Sequence, residues 1–397
     1  MKIGIVTTWF ERGASYVSKQ YLNLLQEEHE VFIYARGFRN TPESESWNQN
    51  YVYWGKESVL PVPMAMDKKD FTGWIRNHHL DIVFFNEQQW WPPVLWAQEA
   101  GVITGAYVDY YTEETVPLFE AYDFLICNTR RHFEAFNWHP QVFYIQWGTD
   151  IDLFKPKSFE PVGDIPTFFQ SCGYSPIRKG TDFVLEAFAK IKQPAKLVIH
   201  AQVDLVKELS HLQGIIKMLM YEDRLEVIQE TVPAPGLYHL GDAYVAPSRL
   251  EGIGLTAAEA ISCGLPFITT DFPPMNEFVT SESGRVAKVD LLWARKDGYY
   301  WPQCRPQIQS LADQLTWYVD NFAQLSEYKK KARKFAEANL NWSDRKSDLN
   351  KIFAKVKRSG KGKKFDETVN AFERSKHGIR YTMASRWPLF YKLLSKI

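Results

Sequence analysis

Two acidic residues with glycines between them form a group suited to ligand binding. Glu251 and Glu259 lie eight residues apart in PSRLEGIGLTAAEAISCGLPFITTD, residues 247–271, with Gly252 and Gly254 between them. Glycine lets a ligand approach the backbone closely, and the free amides at a helix start carry about half a positive charge. An ionised carboxylate only accepts hydrogen bonds, so it can bind two vicinal hydroxyl groups at once. The pattern therefore indicates a site for a polyhydroxylated ligand.

Taken alone, the acidic pair has a simpler explanation: Glu251 is a charge near a helix start and Glu259 a solvated helical residue. The flanking sequence argues against this explanation. AYVAPS is typical of a strand end and LTAAEAISC of a helix, so RLEGIG connects a strand to a helix. The strand-like segment GLPFITTD follows. We therefore expect both carboxylates to face one cleft at the carboxyl end of a strand.

Short apolar strands alternate with amphipathic helices along the chain. In the first third, the segments KIGIV, EVFIYA, DIVFF, VITGAYV and FLICN alternate with helical stretches such as residues 14–26. A second series begins with TFFQSC, after a linker rich in Pro and charge at residues 155–166, and includes a helix near residues 204–220. Helix dominates from residue 307 onward. This alternation predicts two doubly wound parallel sheets, which bind ligands at the carboxyl ends of their strands.

The bulk composition is that of a globular protein with more than one domain. A chain of 397 residues exceeds the usual size of one hydrophobic core. Its four cysteines are scattered without a C-x-x-C pair, which argues against a zinc site or a disulfide framework. The opening MKIGIVTTWF reads as a buried strand rather than a signal peptide, and no run of 18 apolar residues occurs. We expect a cytoplasmic protein.

The formal net charge of zero hides an asymmetry between the body and the tail. Residues 355–397 hold 12 Lys or Arg against 3 Asp or Glu, and the other residues hold 35 against 44. Two hypotheses remain open for this basic tail. It docks on the inner face of an anionic membrane as a peripheral anchor, or it binds the acidic body of its own chain. Nucleic-acid binding is disfavoured because the body is acidic and no recognised module is present.

The segment PSRLEGIGLTAAEAISCGLPFITTD resembles the signature of family 4 of the retaining, GT-B-type glycosyltransferases. WGTDIDLFKP is similar to that family's N-G-V-D-x-x-x-F segment, and GYSPIRKGTDFVLEAFAKI is similar to its phosphate-binding turn and helix. RGASYVSKQYLNLLQEEHEVFIYA is similar to its N-terminal Gly-rich turn, helix and strand. The resemblance covers residues 1 to about 345. It implies two Rossmann-like domains that face each other across a cleft, with C-terminal helices returning to the first domain.

The resemblance implies a domain organisation and a reaction. An acceptor-side domain would span residues 1–157, a donor domain 163–345, and a basic helical tail 346–397. The reaction would move a sugar from a nucleotide-sugar to a glycan or lipid-linked acceptor with retention of configuration. UDP is the commonest carrier in the family. Two alternatives remain: a sugar-nucleotide 2-epimerase of the same architecture, and a nucleotide-sugar-binding protein without catalysis.

Site residues follow from the resemblance, position by position. Glu259 would hold the ribose hydroxyls, Lys179 would neutralise the diphosphate, and Gly13 would approach the same phosphates from the first domain. Val232, in the segment ETV, would border the nucleobase. Glu251 would contact the transferred sugar together with the backbone of Gly252, Ile253, Gly254 and Leu255. Among these residues, Glu251 and Lys179 are the catalytic candidates.

Three departures from the family pattern bear on these roles. Tyr174 stands where the family has an Arg in the phosphate turn, and Arg178 is the candidate substitute. Val108 stands where a His often precedes the residue equivalent to Asp109, so recognition of a hexose is in doubt. A Pro-Pro pair at 273–274 replaces a Gly-Gly pair, which predicts a stiffer loop.

The acceptor side and the metal requirement rest on weaker signals. Glu87 and Asp109 follow strand ends in the first domain and are candidates for acceptor contacts. Trp90, Trp91 and Trp96 have two explanations: stacking on a sugar or a lipid, or, the favoured one, packing against the core of a helix that begins at the Pro pair 92–93. No Asp-x-Asp stands at a plausible donor site, since DID at 150–152 lies in the interdomain segment. We therefore expect neither a metal nor another cofactor, and cations and helix amides would stabilise the leaving group.

Overall fold

The computed structural model describes residues 1–11, 13–36, 45–58, 60, 62–359 and 363–386. These residues form two compact units. The first contains residues 1–128, 132–145 and the chain from 345 onward, and the second contains 129–131 and 146–344.

The first unit is built on a sheet of seven parallel strands. Its strands are β1 (Lys2–Thr7), β2 (Glu30–Ala35), β3 (Val52–Trp54), β4 (Ile82–Phe85), β5 (Ile103–Val108), β6 (Phe124–Cys127) and β7 (Val142–Tyr144). Helices α1 (Gly13–Leu25), α2 (Lys68–His78), α3 (Pro92–Glu99) and α4 (Arg130–Phe136) connect them, α4 beginning in the second unit. The strand order is β3-β2-β1-β4-β5-β6-β7. The order reverses direction at β1, as expected of a doubly wound sheet.

Continuous apolar runs explain why these strands form the centre of the unit. β4 is buried along its whole length, and β1 buries every residue after Lys2. Strands covered by helices on both faces need such runs, whereas a half-exposed sheet would alternate apolar and polar residues. Helix α1 buries Val17, Tyr21 and Leu25, which are spaced four residues apart on one face.

The second unit repeats the architecture with six parallel strands. Its strands are β8 (Thr167–Gly173), β9 (Lys196–Ala201), β10 (Leu225–Gln229), β11 (Ala243–Val245), β12 (Phe267–Thr270) and β13 (Gly284–Ala287), followed by β14 (Val289–Trp293) and β15 (Gln303–Pro306). Its helices are α5 (Thr181–Phe188), α6 (Leu205–Glu208), α7 (Gln213–Tyr221), α8 (Leu255–Ser262), α9 (Ile308–Asp320) and α10 (Leu325–Asn339). The order is β10-β9-β8-β11-β12-β13, and β14 pairs with β15 as a separate antiparallel hairpin. The predicted class of two Rossmann-like parallel-sheet domains is confirmed.

One prediction about secondary structure is wrong. The single helix expected near residues 204–220 is two helices, α6 and α7, separated by a 3₁₀ turn at Ser210–Leu212. Asp204 caps α6 by accepting a hydrogen bond from the Lys207 amide at 3.0 Å. At Leu209 the backbone leaves the helical region, with φ −114° and ψ 43°, while its side chain is fully buried. Burial of this side chain in the core accompanies the break in helical periodicity.

The C-terminal helices α11 (Lys346–Lys355) and α12 (Lys363–Arg386) belong to the first unit. The Glu373 carboxylate in α12 accepts a hydrogen bond from the Trp91 amide at 2.8 Å, and Asp123 accepts one from the Ser359 amide at 2.7 Å. Within α12 the backbone is non-helical at Gly378 (φ 70°, ψ −161°). Within the tail, Ile379 is 80% exposed, and residues 387–397 lie outside the described residues. Within the described ranges, no helix is both long and apolar enough to cross a membrane.

Candidate functional site

The acidic motif lies at the carboxyl edge of the second sheet, between β11 and α8. Gly254 is the residue before α8 and has a left-handed backbone, with φ 74° and ψ 43°. A Cβ atom there would lie 2.7 Å from the Phe278 ring, so the position favours glycine for both its conformation and its lack of a side chain. The loop therefore turns sharply into the helix and leaves Glu251 before it and Glu259 within its second turn.

Glu251 is the centre of a buried cluster of charges. Its Oε1 atom accepts hydrogen bonds from the Lys179 ammonium at 2.7 Å and the Ser248 hydroxyl at 2.6 Å. Its Oε2 atom accepts one from the Arg178 guanidinium at 3.1 Å. Burial raises the pKa of the carboxyl, but the charges of Lys179 and Arg178 outweigh it and bring the pKa to about 2. Glu251 is therefore ionised throughout the neutral range.

Lys179 reaches Glu251 from the loop between β8 and α5. Lys179 is only 8% exposed. Burial lowers the pKa of its ammonium group, and the negative charge of the Glu251 carboxylate opposes this shift. Arg178, from the same loop, has a side chain that is 46% exposed. The cluster thus presents one buried and one accessible cation against a single carboxylate, a net charge of about +1. Such a surplus suits an anionic group.

Glu259 has different surroundings. Its Oε2 atom accepts a hydrogen bond from the Tyr238 hydroxyl at 2.5 Å. Burial raises the pKa of Glu259 to about 7, although the Tyr238 bond and the Lys179 charge lower it. Burial and the Glu259 charge raise the pKa of Tyr238, so the phenol keeps its proton and remains the donor. Glu259 is therefore half-protonated near neutral pH, and its Oε1 atom is not used by Tyr238.

Sequence reasoning missed Arg249, which joins the two loops of the site. Its guanidinium binds the Asp182 carboxylate through two hydrogen bonds, of 2.8 and 2.6 Å, and lies 3.9 Å from the centre of the Phe183 ring. Its amide donates to the Arg178 carbonyl at 2.8 Å. Bidentate pairs of this kind fix geometry as well as adding energy. The available signal was an arginine two residues before Glu251, with an acid three residues after Lys179.

The other donor-side candidates of the second unit lie in two loops, one before α8 and one after β10. Ile253 is buried and Gly252 half-buried in the loop, and Leu255 is the first residue of α8. Val232 lies three residues beyond β10, where the Gln202 side chain donates to the Thr231 hydroxyl at 3.1 Å. Direct side-chain contacts therefore connect Glu251 with Arg178 and Lys179, whereas Val232 lies in a different loop, the one after β10.

The remaining candidates belong to the first unit. Gly13 is the first residue of α1. Glu87 follows β4 with φ 52°, an uncommon value for a residue with a side chain, and the buried Arg36 donates to its carbonyl at 3.0 Å. The Glu87 and Asp109 side chains hydrogen-bond to each other, and burial, followed by the Glu87 charge, raises the pKa of Asp109. The two acceptor-side candidates thus form a carboxyl pair at the ends of neighbouring strands.

The tryptophans near Glu87 pack inside the first unit. Trp90 and Trp91 are 1% and 2% exposed, and α3 begins at Pro92 directly after them. Trp91 packs edge-on against Phe119 with ring centres 5.2 Å apart. The favoured interpretation, helix packing, is therefore the one observed for these two rings. Among the described residues, no group of three His, Cys, Asp or Glu side chains is placed to hold a metal ion.

Comparison with known sequences identifies the domain that carries the acidic motif. Residues 166–335 match the family model of glycosyl transferases group 1. A stretch of 78 residues is 38% identical to the lipopolysaccharide core biosynthesis mannosyltransferase LpsB of Rhizobium meliloti (strain 1021). That stretch is 19% of this chain and 22% of the relative, so the chain matches about a fifth of that protein's length.

Solved structures resemble most of the chain rather than one domain. Sucrose-phosphate synthase from Thermosynechococcus elongatus aligns with a TM-score of 0.65 at 17% identity, over 89% of this chain and 98% of its own. Anabaena Alr3699/HepE in complex with UDP aligns with a TM-score of 0.70 at 13% identity, over 89% of this chain and 100% of its own. At these identities the likeness shows the fold, which is GT-B. The family match adds that residues 166–335 of this fold resemble the group 1 glycosyl transferase domain.

The buried ion pair predicts a specific pattern of stability. Lys179→Met leaves the Glu251 carboxylate buried without its nearest cation, and we expect a loss of about 3 kcal/mol in the free energy of unfolding. The double variant Lys179→Met/Glu251→Gln should recover part of this loss, giving a coupling energy above about 1 kcal/mol. Urea unfolding followed by circular dichroism measures it, with the two units fitted as separate transitions.

Arg178→Met is the matched control for this cycle. Arg178 touches the same carboxylate but is half-exposed, so its loss should cost no more than about 1 kcal/mol. Additive effects of the Lys179 and Glu251 substitutions would contradict the assignment of a coupled buried pair.

Proposed function

We propose that the chain, with its group 1 glycosyltransferase domain at residues 166–335, transfers a sugar from a UDP-sugar to a glycan or lipid-linked acceptor. Configuration is retained and no metal takes part. The observation that carries this proposal is the buried cluster of Glu251, Lys179 and Arg178 at the carboxyl edge of the second sheet, with Glu259 on the adjoining helix.

The relatives support the choice of donor and acceptor classes. Structures of Alr3699/HepE are in complex with UDP, with UDP and glucose, and with UDP-glucose. LpsB is a mannosyltransferase of lipopolysaccharide core biosynthesis. The proposal takes its uridine diphosphate carrier from the Alr3699/HepE complexes and its saccharide acceptor from the lipopolysaccharide core role of LpsB. The comparisons favour transfer over the epimerase and over a binding protein without catalysis.

The charge cluster is suited to stabilising the leaving diphosphate. Cleavage of the bond between the anomeric carbon and the phosphate oxygen leaves negative charge on the diphosphate and positive charge on the sugar. Glu251 holds Arg178 and Lys179 in place before any ligand binds. Helix α8 begins directly after the loop that carries Glu251, so the backbone amides of its first turn lie at the same end of the sheet. Donors that are preorganised in this way need not rearrange as charge develops. Glu251 thus orients the cations, and its carboxylate lies where a sugar hydroxyl would approach.

Retention follows a route without an enzymic nucleophile. The departing phosphate oxygen takes the proton of the acceptor hydroxyl as the new glycosidic bond forms on the same face of the sugar. Glu87 and Asp109 contribute on the acceptor side, where their hydrogen-bonded side chains offer carboxyl oxygens to a sugar hydroxyl group. In this proposal the backbone of Gly13 approaches the phosphates, and Val232 borders the nucleobase.

Nucleotide affinity should depend on pH through Glu259. The ionised carboxylate accepts two ribose hydroxyl groups, whereas its protonated form offers fewer acceptor sites. Because its pKa is about 7, UDP affinity should rise between pH 6 and pH 8. Calorimetry with UDP should show a change approaching about tenfold per pH unit below the pKa.

The matched variant for this titration is Glu259→Gln. It should weaken UDP binding at pH 8 by about tenfold or more, since a hydrogen bond to a charged group is lost. Its remaining pH dependence reports the titration of UDP itself. Identical pH profiles for wild type and variant would show that Glu259 does not bind the ribose.

Turnover should be independent of divalent metal. UDP, GDP and ADP sugars are screened first by thermal shift, and release of the nucleotide from the best donor is then followed with and without EDTA. We expect rates equal within about twofold, because Lys179, Arg178 and the α8 amides supply the positive charge. A loss of turnover in EDTA that Mn²⁺ restores would overturn metal independence. Failure of every nucleotide to bind would overturn the donor assignment itself.

A peripheral membrane role for the basic tail is a further part of the proposal. On α12 the residues Arg374, Lys376, Ile379 and Arg380 are exposed together, while Glu373 faces the protein. Basic side chains near an anionic bilayer contribute about 1 kcal/mol each. Changing the three basic residues to Glu should therefore abolish co-sedimentation with phosphatidylserine vesicles.

The control for the tail carries the same charge change elsewhere. Lys330, Lys331 and Lys334 are exposed on α10, and their replacement by Glu alters the net charge equally. This variant should still sediment with anionic vesicles and, like wild type, ignore phosphatidylcholine vesicles. Equal loss in both variants, or no sedimentation of wild type, would contradict membrane docking by α12.

A further inference from the structure

A groove of about 410 Å³ opens beside the donor cluster, within the second unit. One side is formed by the loop after β8, and the other by the start of the acidic motif and the β14–β15 hairpin. We call it the Tyr174 groove. Its lining residues include Tyr174, Ile177, Arg178, Glu208, Arg249 and Arg295.

The apolar side of the groove consists of two exposed side chains in one short loop. Tyr174 is 69% exposed and Ile177 is 39% exposed. Single exposed apolar residues are ordinary on a protein surface. An aromatic face and an aliphatic chain that line the same groove are instead suited to the C–H face of a sugar ring, since the flat ring gives contact area without burial of the hydroxyl groups.

The polar lining contains three guanidinium groups and the carboxylate of Glu208. Arg249 pairs with Asp182 at 2.6 Å, and Arg295 pairs with Asp297 at 2.5 Å. Arg178 shares the Glu251 carboxylate with Lys179, which leaves one positive charge, and the Glu208 carboxylate balances that charge within the groove. The groove therefore offers N–H donors and a carboxylate acceptor without a surplus of positive charge. This balance matches a neutral polyol, because a phosphate or carboxylate ligand needs uncompensated cations.

The groove is continuous with the donor site through Arg178. Its Nη1 atom donates to the Glu251 carboxylate and, at 3.2 Å, to the carbonyl of Leu250, which also lines the groove. A ligand in the Tyr174 groove and a sugar beside Glu251 would thus be separated by a single side chain.

We infer that the Tyr174 groove binds a neutral oligosaccharide, the portion of the glycan that lies beyond the reacting sugar. The inference rests on the proposed function, since it gives a class to the acceptor of that reaction. Tyr174 is a specificity residue here: its ring stacks on a sugar, and the guanidinium groups and the Glu208 carboxylate of the lining bind the hydroxyl groups.

The test measures trisaccharide binding to the full chain by saturation-transfer difference NMR. The probes are maltotriose, cellotriose and mannotriose, with sialyllactose as an anionic trisaccharide. We expect at least one neutral probe to bind. Tyr174→Ala should weaken it by roughly three- to tenfold, as expected for loss of one aromatic stacking contact, and Tyr174→Phe should retain it. Tyr221→Ala removes another highly exposed ring, at the end of α7, and should have no effect.

UDP affinity is measured on the same samples, so that the two proposals fail separately. If UDP binds but no neutral trisaccharide does, or if Tyr174→Ala and Tyr221→Ala bind the trisaccharide alike, the groove is not a glycan site and the donor assignment stands. Tighter binding of sialyllactose than of every neutral probe also overturns the inference, because it shows an anion site. If a neutral probe binds in a Tyr174-dependent manner without UDP binding, the groove stands and the donor assignment fails.

Discussion

The contact between the Lys179 ammonium and the Glu251 carboxylate is the interaction on which the second unit's site depends. Both groups are about nine-tenths buried and 2.7 Å apart. Each charge alone would cost several kcal/mol to desolvate, and their attraction offsets that cost only in good geometry. The residues lie 72 positions apart in the chain, on loops after β8 and after β11. The fold must therefore bring two strand ends together with an accuracy of a few tenths of an ångström.

The pairing of β8 with β11 contributes first to the positioning of Lys179 and Glu251. The two strands pair directly in the sheet, so their following loops leave from the same edge. Arg249 provides the second contribution, since its guanidinium holds Asp182 and its amide holds the Arg178 carbonyl. Gly180 permits the close approach: its φ is 69°, and a Cβ atom there would lie 2.2 Å from the Pro247 carbonyl oxygen. Gly180 thus allows the loop after β8 to pack closely against the loop after β11.

The sequence predicted the sheets well because their strands are continuous apolar runs, whose burial on both faces leaves few alternatives. It also predicted where Glu251 and Glu259 lie, since strand, glycine turn and helix follow one another within residues 243–262. It did not predict that Glu251 and Lys179 bind each other, because such a pair depends on strand order. The roles of Tyr238 and Arg249 were not predicted for the same reason, because each side chain binds a partner that is distant in the chain. The break at Leu209 depends on core packing that periodicity alone does not describe.

Two carboxylates eight residues apart acquire opposite properties from their surroundings. Adjacent cations lower the pKa of Glu251 to about 2, whereas burial raises that of Glu259 to about 7. A carboxylate that is always ionised can hold cations in place without itself responding to pH. The Glu259 carboxyl group has a pKa near neutral pH. It binds a pair of ligand hydroxyl groups strongly only when the hydrogen bonds from those groups offset the cost of burying its negative charge. Pairs of acids whose environments separate their pKa values commonly divide roles in this way. Under the proposed function, this division would assign charge organisation to the loop and hydroxyl recognition to the helix.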